Sequence, residues 1–76
     1  GRLVYPNPAH DVLYVEVPNG FTHLAIYSMR GVHCLSRTVA AGLRCGIPVA
    51  DFPEGLYVLR LSGTAGEKTI KWIKTR

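Results

Sequence analysis

The side chains able to do chemistry in this 76-residue chain are few and scattered: His10, His23 and His33, Cys34 and Cys45, and the carboxylates of Asp11, Asp51 and Glu54. A metal centre needs such ligands at spacings that converge, and a nucleophile needs a base within hydrogen-bond reach. None of these residues belongs to a glycine-rich phosphate loop, a His-Glu-x-x-His pair or a Cys-x-x-Cys pair. His33 and Cys34 are neighbours in a stretch that reads as a strand, so they point to opposite faces. The histidines therefore read as surface or half-buried structural residues. No catalytic residue, metal or cofactor is expected.

A second chemistry is nucleic-acid binding, for which Trp72 among Lys68, Lys71 and Lys74 supplies an aromatic interleaved with positive charge. Trp72 shares a strand face with the apolar Ile70, however, which assigns it to a core. Tyr5, Tyr14, Tyr27 and Tyr57 fall on separate strands and build no stacking platform. No nucleic-acid partner is expected. The basic end, which dominates a formal net charge of +4, reads either as a contact for an acidic surface or as lysine protection of an exposed sheet edge.

Cys34 and Cys45 are too few to define a disulfide scaffold. They read either as buried thiols or, in an exported protein, as a bridge worth roughly 3 kcal/mol.

The elements that must position these groups are strands. Asp51-Phe52-Pro53-Glu54-Gly55 is a turn in which Pro53 presets φ and Gly55 takes a positive φ. It leads into Leu56-Tyr57-Val58-Leu59-Arg60-Leu61, where Tyr57, Leu59 and Leu61 share one face and apolar residues also fill much of the other. That double-sided pattern marks an interior strand. Upstream, 12–17 turns Leu13, Val15 and Val17 inward, and 22–27 does the same with Leu24 and Ile26. The more polar 32–39 reads as a strand with Cys34 as its inward anchor. Residues 40–44 read as loop in preference to a helical turn over 39–44, because Gly42 and Gly46 bracket too short a segment for a stable helix. Residues 47–49 read as an edge strand on account of Pro48. After a small-residue hairpin loop at 62–66, the final strand runs over 67–74.

Six to seven short strands at intervals of roughly ten residues, with no helix, predict an all-β, immunoglobulin-like antiparallel β-sandwich. One domain fits the length, with a net stability of ~4–11 kcal/mol. A hydrophobic fraction of 47% against 18% charged residues argues for an ordered module. No apolar run is long enough to span a bilayer. Starting at Gly1 without a signal-peptide pattern, the chain reads as a piece of a longer protein.

Four segments carry a family resemblance: Tyr5-Pro6-Asn7-Pro8-Ala9-His10-Asp11, Ile26-Tyr27-Ser28-Met29-Arg30-Gly31, Phe52-Pro53-Glu54-Gly55-Leu56-Tyr57-Val58-Leu59-Arg60-Leu61, and Gly66-Glu67-Lys68-Thr69-Ile70-Lys71-Trp72-Ile73-Lys74. In this order and spacing the chain resembles the type A C-terminal sorting domain of type IX secretion cargo from Bacteroidetes. Any one segment is weak evidence; four in register over essentially the whole chain are specific. Phe52 replaces the Leu more common in the family's turn, and Cys34 and Cys45 lie outside the family pattern.

The resemblance implies a non-catalytic export signal at the end of a larger cargo, often a protease or other virulence factor. Such a domain directs cargo from the periplasm across the outer membrane through a translocon and its shuttle protein. A sortase-like cysteine peptidase then removes it and joins the cargo to an anionic lipopolysaccharide on the cell surface. Recognition features carried over by position fall on Gly55, Tyr57, Gly66, Lys68, Lys71 and Lys74. Residues 1–4 are expected to end the upstream linker and 66–76 to form the terminal signal strand. The alternative is an immunoglobulin-like adhesion or spacer module that binds glycan or protein.

Overall fold

Period-two alternation of apolar residues builds seven strands, and the apolar sets face one another across two sheets. The computed structural model describes residues 3–76. The strands are β1 (Val4–Tyr5), β2 (Val12–Glu16), β3 (His23–Ser28), β4 (His33–Thr38), β5 (Arg44–Pro48), β6 (Gly55–Gly63) and β7 (Gly66–Lys74). One sheet has the order β1-β2-β5 and the other β4-β3-β6-β7, and every strand pairing is antiparallel. This is the all-β sandwich expected from the strand count, without a helix among the described residues.

Leu13, Val15 and Val17 from one sheet meet Leu24, Ile26, Leu59 and Leu61 from the other in a single core. Trp72, fully buried on β7, is its largest member. β6 lies between β3 and β7, as its double-sided apolar pattern requires. β5, carrying Pro48, is an edge strand; it starts at Arg44, earlier than proline placement alone suggests, because Arg44, Cys45 and Gly46 already pair with Glu16, Val15 and Tyr14. Val4, assigned to the linker from sequence, is only 6% exposed and pairs with Val15.

One inward assignment is reversed. The β3–β4 register pairs Ile26 with Leu35 but Tyr27 with His33, leaving Cys34 as the extra residue of a β-bulge. The bulge shifts the alternation by one residue, so Leu35 packs against the core and Cys34 is exposed. Both cysteines are free thiols.

The β2–β3 turn and the β6–β7 hairpin meet backbone to backbone. Ala65 N–H donates to the Gly20 carbonyl at 3.0 Å, and Thr22 N–H to that of Ser62 at 2.9 Å. A Cβ at Gly63 would collide with the Gly20 carbonyl oxygen, so glycine is required there by close approach.

Candidate functional site

β6 and β7 carry the six residues singled out by position. Their unbroken register pairs Gly55 with Lys74, Tyr57 with Trp72, Val58 with Lys71, Leu61 with Lys68 and Gly63 with Gly66. The hairpin thus brings Gly55 and Tyr57 beside the end of β7, with Gly66 at the opposite, turn end. It does not gather the lysines: Lys68 and Lys74 share the inner face of β7 with Ile70 and Trp72, while Lys71 lies on the outer face with Glu67, Thr69 and Ile73. Lys68 and Lys71 are exposed, whereas Lys74 is 5% exposed and its Nζ donates to the Thr75 carbonyl at 2.6 Å.

Tyr57 is buried too, at 5% exposed, with its ring stacked on Trp72 at 4.9 Å between centroids. Phe52 from the preceding turn tilts against both rings and closes that end of the core. The Tyr57 hydroxyl reaches back to donate to the Pro53 carbonyl at 2.6 Å. This is the arrangement of an immunoglobulin-type tyrosine corner, which fastens a turn to the strand that follows it. Burial, and secondarily the charge of the Cys34 sulfur, raises the Tyr57 phenol above its ordinary pKa. Gly55 has φ +150° with open space where a Cβ would stand, so the turn needs its conformation and not its small size.

The far end of β7 is fastened by the segment after β1. Asn7 Oδ1 accepts from Ile73 N–H at 2.9 Å, Ala9 N–H donates to the Ile73 carbonyl at 2.7 Å, and Thr75 N–H donates to the Ala9 carbonyl at 2.8 Å. Ala9 and Lys74 form a parallel bridge. Sequence reasoning missed this clasp; an asparagine held between Pro6 and Pro8 was its one visible sign.

Among the described residues, the groups able to do chemistry stay apart except for the exposed neighbours His10 and Asp11. His23 Nδ1 lies 2.9 Å from Thr22 Oγ1, His33 Nε2 3.1 Å from Ser36 Oγ, and His10 3.7 Å from Asp11. Cys34 Sγ donates to the Val32 carbonyl at 3.4 Å. No group of three or more His, Cys, Asp or Glu among the described residues could hold a metal ion. Two tyrosines do come together, against expectation: Tyr5 stacks on Tyr14 at 5.8 Å, Arg44 covers Tyr14 at 4.9 Å, and the Tyr5 hydroxyl bonds to Glu16. These groups satisfy one another.

A family model described as "Secretion system C-terminal sorting domain" matches residues 3–75. No curated protein matches the chain. The match spans both sheets and the whole β6–β7 hairpin, and the chain belongs to the family of C-terminal sorting domains that serve as signals for type IX secretion.

Proposed function

We propose that this domain is a non-catalytic tag that carries a larger cargo, N-terminal to it in the same polypeptide, from the periplasm across the outer membrane. The observation that carries this reading is the family match over residues 3–75. On this reading the tag is presented to the type IX translocon and its shuttle protein. A sortase-like cysteine peptidase then cuts upstream of the sandwich, and the cargo is anchored at the cell surface or released.

The division of labour follows from burial at Tyr57 and Lys74 and from the positive φ of the exposed Gly55. Gly55, Tyr57 and Lys74 maintain the shape of the hairpin, and the exposed Lys68 and Lys71 supply charge that a partner reads. A folded cargo needs a tag of fixed geometry, and a sandwich displays its terminal strand rigidly.

Truncation after Ile70 is an unsuitable test, because it removes the fully buried Trp72; losing such a side chain costs about 3–5 kcal/mol. Replacing the exposed Lys68 and Lys71 together by Gln changes the charge and leaves the buried residues in place. A cargo carrying this folded variant is expected to accumulate in the periplasm. Its secretion at the parent level would remove the lysines from the signal.

A further inference from the structure

The outer edge of β7 is only partly covered. Ile73 directs its N–H and C=O away from β6, to Asn7 and Ala9. Backbone groups of alternate strand residues point the same way, so those of Glu67, Thr69 and Lys71 also point outward. Among the described residues no backbone hydrogen bond outside the β6–β7 ladder reaches these three. The clasp therefore marks one end of the open window at residue 73, and the hairpin turn marks the other.

The sandwich is also open beside this window. Its neighbour across the gap is β1, which has only two residues, and an open cleft of about 370 Å³ lies there, lined by Leu3, Val4, Asn7 and Ile70. A strand added to β7 would direct alternate side chains into this cleft, and its other side chains beside Thr69 and Lys71. Main-chain bonds to an edge supply affinity, and pockets for alternate side chains supply specificity.

Resting on the sorting reading, we infer that the window 67–71 accepts an extended segment of the secretion machinery as an additional strand. That segment carries an apolar side chain for the Leu3, Val4 and Ile70 cleft and acidic side chains for Lys68 and Lys71. A second copy of this chain fits less well. Antiparallel self-pairing centred on Thr69 would set Lys68 of one copy against Ile70 of the other and drive an ammonium group toward the apolar cleft.

Thr69→Pro tests the inference, because an edge strand tolerates proline where the lost N–H faces outward. A reporter fused ahead of residues 1–76 is expressed in a type IX competent strain, and the circular dichroism and hydrodynamic size of the purified domain are checked. The parent fusion should be exported and the folded, monomeric Thr69→Pro fusion retained, with secretion reduced about tenfold or more, the effect of ~1.4 kcal/mol in recognition. If Thr69→Pro is misfolded, Leu3→Asp places a carboxylate in the cleft without touching the ladder and carries the same expectation. Equal export of a folded variant and its parent overturns strand addition while leaving the sorting reading standing. A parent dimer made monomeric by Thr69→Pro also overturns it, in favour of self-pairing. Retention of the parent fusion itself contradicts the sorting reading.

Discussion

The Tyr57 hydroxyl donates to the carbonyl of Pro53 at 2.6 Å, tying the start of β6 to the turn that precedes it. One net hydrogen bond of this kind contributes about 0.5–1.5 kcal/mol. Tyr57→Phe keeps the ring on Trp72 and should lower stability by that amount in urea titration. An unchanged midpoint would show that the corner does not fasten the turn.

The same phenol predicts an alkaline limit. Its pKa is raised in the fold, chiefly by burial, so the folded chain holds this proton more tightly than the unfolded one. The resulting stability is fully present below the unfolded value of about 10 and is lost as pH rises through the folded one. Melting temperature should fall across that window in the parent and fall less steeply in Tyr57→Phe. Parallel curves would assign the loss to other groups.

Gly55→Val should destabilise by about 1–3 kcal/mol through backbone strain at φ +150°. Because no atom lies within 4 Å of the position a Cβ would take, a steric clash is not the cause. Gly55→Ala should therefore lose a comparable amount. A valine variant that melts with the parent would refute the turn geometry.

Asn7→Ala removes the acceptor for Ile73 N–H in the clasp. Ile73 is 45% exposed, so water takes over much of the bond and the global loss should be about 0.5–1 kcal/mol. The local effect is sharper: amide exchange at Ile73 should quicken while that at Trp72, inside the β6–β7 ladder, holds. Unaltered exchange at Ile73 would mean that the clasp does not form in solution.

Cys34 sits at the exposed bulge of β4, and Cys45 lies on β5 in the other sheet. Thiol titration of the unreduced, denatured chain should find both sulfurs free, and reductant should leave the melting temperature unchanged. Absence of titratable thiol would demonstrate the bridge instead.

Much of this fold is legible in the chain because alternation and turn chemistry agree. Leu13, Val15 and Val17, and Tyr57, Leu59 and Leu61, are buried as their spacing requires. Cys34 was misplaced because a bulge shifts the alternation by one residue, and the residues flanking it carry no glycine or proline to announce the shift. The hairpin was legible for the same reasons as the core, but the environment of Lys74 was not. Lys74 bridges to Ala9, which lies far away in sequence and is brought to β7 only by the tertiary fold. The cleft beside Ile70 has the same origin, since Leu3 and Val4 reach it from the opposite sheet.

Export by this domain is decided by locating a fluorescent reporter fused ahead of residues 1–76 in a type IX competent strain and in the same strain lacking the translocon. The reporter is predicted to reach the cell surface or medium only when both the domain and the translocon are present. A folded fusion that stays in the periplasm of the competent strain would contradict the assignment.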